Sequence, residues 1–315
     1  MKNFYKNKNI LITGHSGFKG SWLSLILKLL GNNVYGLSDN KINSGFYKII
    51  KNKDVFTKEY QGDIRDPMYI NKIIGLGNFE IVFHLAAQGL VSEAAKNPEN
   101  TLTSNILGTF NILNSCNNNK RIKTLIVSTT DKVYAEHNSK NSELFKLGGK
   151  EFYSASKAST EHIITAFINT HKRETLNIGV VRAGNVLGGG DYGKDRLLTD
   201  VINSLKRGEN IKLRNPQSLR PWQYILDSLM GYLLVAQYCQ KQKKDEIFNL
   251  NRKLNNQYDV GYLVDTFVKE WSPTKKIKII HENNSKFYES DVLRIDSTKA
   301  RKLLNWVPSY NLIQI

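Results

Sequence analysis

"KNILITGHSGFKGSWLSLILKLLG" (8–31) decides the fold. Ile10–Thr13 is an apolar, β-prone run of the kind a buried strand uses. Gly14, Gly17 and Gly20 follow at GxxGxxG spacing. Apolar residues then recur at helical intervals up to Gly31, a C-capping glycine. A strand, a glycine loop and a helix in that order bring backbone N–H groups and a helix N-terminus close to a pyrophosphate. The stretch therefore predicts a dinucleotide site formed by Gly14, Gly17, Phe18, Lys19 and Gly20. Read by themselves, the glycines are equally a tight turn with no ligand.

Outward from this unit the same alternation continues. Strands are predicted at 32–38, 80–88, 123–130 and 177–186, a shorter one before residue 62, and helices at 67–75, 97–116 and 151–172. Continuous Val/Ile/Leu strands between amphipathic helices imply a parallel sheet covered on both faces. The fold class expected is α/β: a Rossmann-type doubly wound parallel sheet with a smaller C-terminal α/β substrate-binding cap. The boundary is placed at 183/184. Residues 1–183 form the dinucleotide-binding domain and 184–315 mainly the cap, with some chain free to return to the sheet. From "GNVLGGGDYGKDR" (184–196) onward the βα rhythm loosens, and no linker or repeat is visible. The two parts should pack tightly around a ligand cleft.

The 315 residues carry 45 Lys and Arg against 28 Asp and Glu, a net charge of +17. Such a charge favours an anionic partner, nucleic acid or a nucleotide ligand. The lysines are scattered rather than gathered in one stripe, which fits a solvated basic surface and argues against nucleic acid. No apolar stretch suits a signal peptide or a membrane span. Cys116 and Cys239 stand alone, without a disulfide framework or a metal-ligand pattern. A cytoplasmic protein without metal or membrane attachment is expected.

Asp39, just past the second strand, is placed to take the adenosine ribose hydroxyls of NAD, although nearby Lys41 would suit a 2′-phosphate. In "GDIRD" (62–66), Asp63 can meet the adenine amino group and Ile64 the ring face. "YSASK" puts Tyr153 and Lys157 at i and i+4, on one helix face. A phenol titrates near pH 10. A neighbouring ammonium and a nicotinamide cation would lower that and make the tyrosine a base.

With these residues go "HLAAQ" (84–88), "SNILGT" (104–109), "TTDKVY" (129–134), "VRAGNVLGGGDYGKDRL" (181–197) and "RNPQSLRPWQYI" (214–225). Together they resemble the extended short-chain dehydrogenase/reductases and, within them, the CDP-glucose 4,6-dehydratase family, over roughly 8–310. The resemblance implies NAD-dependent oxidation at C4 of a nucleotide sugar, elimination of water across C5–C6, and return of the hydride to C6. It implies Tyr153 as base, with Lys157 and Thr130 beside it, Asp131 as the acid that protonates the departing hydroxyl, and Lys132 as the base for the C5 proton. A lysine in that role must be neutral when it acts. Leu85, Ala86, Ala87 and Thr129 would line the cofactor. Gln88, Asn185, Arg196, Arg214 and Arg220 would hold the substrate, CDP-glucose, the arginines on its diphosphate. Each arginine can equally be a surface residue, and Trp222 either underlies the site or fills the core.

The sequence departs from this pattern at "GLVSEAAKNP" (89–98), where a Pro and arginines are usual, in "AEHNSKNSELFKL" (135–147), which lacks the usual aromatics, and at "YNLIQI", where further helix is usual. The family implies a homodimer or higher homo-oligomer through helices near 97–116 and 151–172, and a product for cell-surface polysaccharide. The alternatives are another nucleotide-sugar dehydratase, an epimerase, or a nucleic-acid-binding protein on a dehydrogenase fold. An epimerase has no need of the Asp131/Lys132 pair.

Overall fold

In the computed structural model, residues 1–39, 45–136, 141–193, 195–252, 258–273, 277–281, 290–310 and 314 are described. Seven strands form one parallel sheet. They are β1 (Asn9–Thr13), β2 (Asn33–Ser38), β3 (Lys58–Gln61), β4 (Ile81–His84), β5 (Thr124–Ser128), β6 (Asn177–Ala183) and β7 (Glu246–Leu250). Their spatial order is β7-β6-β5-β4-β1-β2-β3, and every pairing is parallel. The order reverses between β1 and β4. Above such a switch point the loops diverge and open a ligand crevice.

Burial explains which strands the sequence announces. All four residues of β4 and all seven of β6 are buried, and their central stretches, 81–83 and 178–181, read as apolar or small runs. Edge strand β3, "KEYQ", is largely exposed and carries no such run. The helices α1 (Phe18–Leu29), α2 (Pro67–Leu76), α3 (Gly108–Asn118), α4 (Phe152–Thr170), α5 (Leu197–Arg207), α6 (Ile225–Gln242), α7 (Val260–Trp271) and α8 (Thr298–Leu304) complete the framework. Two cores lie on opposite faces of the sheet. One packs α1, α6 and the Leu304–Trp306 segment. The other packs α2, α3 and α4.

The helix expected at 97–116 is interrupted. A short helix, Pro98–Leu102, runs into a π turn, Thr103–Leu107, before α3 begins. This widened turn lets the buried Asn105 carboxamide reach the Gln88 main chain, accepting from Gln88 N at 2.9 Å and donating to Gln88 O at 3.0 Å.

The C-terminal half contributes to both parts of the molecule. Residues of α6 and β7 return to the sheet, β7 pairing with β6 in register Phe248↔Val181. Helices α5 and α7 lie outside it, packed through Val201, Leu205, Ile211, Leu213 and Val264. Both cysteines are buried free thiols. No helix among the described residues is long and apolar enough to cross a membrane.

Candidate active site

The crevice above the sheet is a cleft of about 1930 Å³ between the strand ends and the α5–α7 region. Its floor is the β1–α1 loop. Gly14 has φ +73°, and a Cβ there would fall 2.7 Å from Ala86 N. A Cβ on Gly20 would fall 2.1 Å from the Gly14 carbonyl oxygen. Both glycines are thus required by close backbone approach. At Gly17 a Cβ would meet only the Gly14 oxygen, at 3.2 Å, leaving bare backbone toward the cleft. That is the room a pyrophosphate needs at the start of α1, so these residues fit a dinucleotide.

Phe18, Lys19, Leu85, Ala86 and Ala87 line the same floor. Asp39, Asp63 and Ile64 line it at the β2–β3 side. Ile64 is nearly buried and packs on Gly108. The Asp63 carboxylate is engaged by Arg65, whose Nε lies 3.0 Å from both oxygens and whose Nη2 lies 2.5 Å from one. The adenine contact expected of Asp63 thus meets a carboxylate already in an ion pair. Arg65 also donates to Asn100 Oδ1 at 3.1 Å and feels the charge of Asp39. Its place in the site was not read from the sequence, although its i+2 spacing from Asp63 is visible there. Lys41, the alternative to Asp39, lies outside the described residues.

β5 ends at Ser128 and delivers four residues to the rim. Thr129 is turned inward, its hydroxyl donating to Glu161 at 2.7 Å. Thr130 caps a 3₁₀ turn, accepting from Lys132 N at 3.3 Å and donating to Asp131 Oδ1 at 3.1 Å. Asp131 is 2% exposed, and its Oδ2 has no hydrogen-bond partner among the described residues. Burial holds this carboxyl above its ordinary range, opposed by Lys132, Thr130, Arg220 and Lys19.

α4 supplies Tyr153 and Lys157. Its N-terminus is fixed by a capping box. Glu151 accepts from Tyr153 N and Ser154 N at 2.6 and 2.8 Å, and the Ser154 hydroxyl reaches back to Glu151 N. Thr130 hydrogen-bonds the Tyr153 phenol. Lys157 is buried and donates to Ser128 O at 3.0 Å. The expected lowering of the phenol is not produced by the chain itself. Burial pushes Tyr153 up to about 12, with Thr130 and Arg196 pulling down and Asp131 and Glu151 pushing up. Burial also brings Lys157 down to about 8, helped by Lys19 and opposed by Glu161.

Behind this wall, sequence reading missed a buried ion pair. Glu161 of α4 and Arg182 of β6 are 1% and 2% exposed and make a bidentate contact. Arg182 also donates to Tyr134 Oη at 2.8 Å. Partners 21 residues apart on a helix and a strand leave no local sequence signal.

On the opposite wall, Asn185, Arg196, Arg214 and Arg220 all face the cleft. Arg196 and Arg214 are exposed, whereas Arg220 is 2% exposed and donates to the main-chain oxygens of Leu219 and Asp291 at 3.0 and 3.3 Å. Trp222 does both things expected of it, lining the cleft and packing with Leu187 and Leu263. Gln88 spends its carboxamide on the Leu90 main chain, at 3.0 and 2.7 Å. In the divergent 89–98 stretch, Ser92 donates to Asp195 Oδ2 at 2.6 Å and joins the two walls.

Comparison with known proteins agrees with this geometry. Residues 11–315 match the profile of the GDP-mannose 4,6 dehydratase family. The chain belongs to this family. A CDP-glucose 4,6-dehydratase from Salmonella typhimurium is 35% identical over 99% of this chain and 89% of its own length. Among solved structures, UDP-glucose 4-epimerase from Thermotoga maritima with UDP-glucose superposes with a TM-score of 0.84 and 25% identity, over 97% of this chain and 95% of that one. The dTDP-glucose 4,6-dehydratase of Bacillus anthracis in complex with NAD gives a TM-score of 0.81 at 22% identity, over 98% and 93%, and shares the fold. The Rossmann-type sheet of this dehydratase family is therefore the sheet described above.

Proposed function

We propose that the chain is an NAD-dependent hydro-lyase that converts CDP-glucose to CDP-4-keto-6-deoxyglucose. The observation that carries the reading is Asp131. It is buried, burial holds its carboxyl above the ordinary range, and one of its oxygens has no hydrogen-bond partner among the described residues, next to Thr130 and Lys132 in the wall of the cleft. An epimerase, which only removes and returns a hydride at C4, has no use for such an acid. The 35% identity over nearly the whole chain to a CDP-glucose dehydratase supports CDP as the nucleotide.

The β1–α1 glycine loop, Asp39 and the 85–87 stretch hold NAD, which supplies the hydride acceptor for C4 and the donor for C6. Tyr153 takes the C4 hydroxyl proton, with Thr130 sharing that hydrogen bond and Lys157 beside it. The resulting ketone acidifies C5–H. The Lys132 amine then takes the C5 proton as Asp131 protonates the C6 hydroxyl, which leaves as water. A C5–C6 double bond, a Lys132 ammonium and an Asp131 carboxylate remain. Arg196, Arg214 and Arg220, which line the cleft, are read as the cations for the diphosphate, and Asn185 as a contact to the nucleotide.

The protein is read as a cytoplasmic homodimer feeding deoxyhexose synthesis for cell-surface polysaccharide. Leu107, Phe110 and Phe152 support the dimer, being large apolar side chains 44–55% exposed on the π-turn/α3 and α4 surface. Light scattering giving twice the 35.9 kDa chain mass is the expected result.

The test is incubation of purified protein and NAD with CDP-glucose, dTDP-glucose, UDP-glucose and GDP-mannose, following the alkali-absorbing 4-keto-6-deoxy product. CDP-glucose should turn over fastest. No turnover of CDP-glucose would sink the assignment. Faster turnover of another nucleotide would move the substrate but keep the reaction.

A further inference from the structure

Lys19 is the second residue of α1, inside the glycine loop. Phosphate binding by such a loop uses main-chain N–H groups, so it makes no demand on the side chain at this position. The side chain nevertheless has a defined place. Its Nζ lies 5.8 Å from the centroid of the Tyr232 ring. Tyr232 is fully buried on α6, and its hydroxyl sits 2.6 Å from Ser128 Oγ at the end of β5. The aromatic face thus holds the amine beside the β5 terminus, from which Thr130, Asp131 and Lys132 emerge. Lys19 and Asp131 line one cleft and feel each other's charge. Lys157, also beside it, feels the same ammonium.

The elimination step gives this placement a purpose. Once Asp131 has given its proton to the departing C6 oxygen, a carboxylate is left with a buried Oδ2 that no other described group bonds. Of the two carboxylate oxygens, the Thr130 hydroxyl bonds Oδ1. Lys132, an ammonium once it has taken the C5 proton, and Arg220, which also donates to the Leu219 and Asp291 carbonyls, both act on this carboxylate, and Lys19 adds a further positive charge from the glycine-loop side. We infer that Lys19 is a positioning residue for the elimination, its ammonium being a counter-charge, alongside Lys132 and Arg220, to the Asp131 carboxylate that forms as the C6–O bond breaks. The inference rests on the reading of Asp131 as the acid. No bond to Lys19 forms or breaks. It makes Asp131 a stronger acid than its burial would otherwise allow.

The charges around the pair are known from every side. Asp131 faces Lys132, Arg220 and Tyr153, and Lys19 faces Arg196 and Asp191 from the 186–196 loop as well as Lys157. Burial, with Arg196, brings the Lys19 amine down to about 8, against the pull of Asp131 and Asp191. The counter-charge should therefore be present at neutral pH and fade above pH 8.

The experiment compares wild type, Lys19→Met, Lys19→Arg and Asp131→Asn, all with NAD and the nucleotide sugar. At pH 7, Lys19→Met should lose about tenfold in kcat, the worth of roughly one pKa unit of acid strength. The deficit should shrink toward wild type by pH 9 to 10. Lys19→Arg, whose charge persists, should keep most of the rate across the range. The dissociation constant for NAD, from quenching of protein fluorescence, should be unchanged by Lys19→Met. If instead NAD affinity falls while kcat at saturation is normal, Lys19 is a phosphate ligand and the inference is overturned. A deficit independent of pH overturns it too. If Asp131→Asn still eliminates water, the reading of Asp131 has failed. If Asp131→Asn is inactive and Lys19→Met runs at full rate, only the role of Lys19 has failed.

Discussion

Arg182→Met should destabilise the protein by about 3–5 kcal/mol, the cost of removing one partner of a buried ion pair. The wild-type contacts set that figure. Nε of Arg182 lies 2.9 Å from both Glu161 oxygens and Nη2 bonds one of them. Nη1 donates to Tyr134 Oη at 2.8 Å and Glu143 O at 3.1 Å, and the guanidinium sits 4.9 Å from the Tyr134 ring centroid. Removing the guanidinium leaves Glu161 buried with the Thr129 hydroxyl at 2.7 Å for company. Domain stabilities are about 5–15 kcal/mol in all. At roughly 2–4 °C per kcal/mol, the melting point should fall by about 6–20 °C. Urea unfolding with circular dichroism reads the free energy, and a thermal scan reads the shift. The double variant Glu161→Gln/Arg182→Met should recover most of the loss, because no charge is then stranded. A loss below about 1 kcal/mol, the range of exposed pairs, would refute the reasoning. So would a double variant no more stable than the single one. Glu161 lies on the helix that carries Tyr153 and Lys157, so kcat should fall along with stability in the single variant.

Lys132→Ala should lower kcat by about 10²–10⁴-fold with NAD affinity spared, as steady-state rates and fluorescence titration would show. A loss of only a few-fold would remove Lys132 from the mechanism. Gly20→Ala should abolish NAD binding and depress folding yield, because its Cβ would fall 2.1 Å from the Gly14 carbonyl oxygen, which cannot give way. Normal fluorescence titration with NAD would contradict this. Lys157→Met should melt above wild type at pH 7 and converge with it by pH 10. Burial lowers the Lys157 amine from 10.5 to about 8, so the unfolded chain binds more protons between those values. Wild-type stability from this group therefore rises with pH across that window, and the cost of its buried charge is full below pH 8. A melting difference independent of pH would refute the assignment.

Much of the site was legible because its pieces are local. The β1–α1 loop, the Tyr153/Lys157 pair and the 129–132 rim each lie within one turn or strand end, where spacing alone dictates which side chains share a face. Three things were not legible. The π turn at 103–107 has the composition of an ordinary helix, and tertiary bonds from Asn105 to Gln88 accompany its widening. The ion pair of Glu161 and Arg182 joins a helix to a strand with no periodic sign. The α6–β7 unit that carries Tyr232 was not singled out in the loosened rhythm after residue 184, and periodicity does not say which sheet a strand joins. The proposed role of Lys19 and the ion pair of Arg65 with Asp63 depend on what stands next to them in space.

The last strand of the sheet is made late. β7 ends at Leu250, and Trp306, 1% exposed and bonded to Asp227 O at 2.9 Å, closes the core over α6. Tyr5, near the start of the chain, donates to Leu233 O at 2.6 Å. A nascent chain that has left the ribosome as far as β6 therefore has its entire NAD loop and catalytic helix but a bare strand edge and an uncovered sheet face. An exposed parallel edge of Val and Ile invites pairing with other chains. Messages truncated before α6 should yield aggregates rather than a smaller working enzyme, and synthesis of the protein should depend on chaperones that shelter the sheet until α6, β7 and Trp306 arrive.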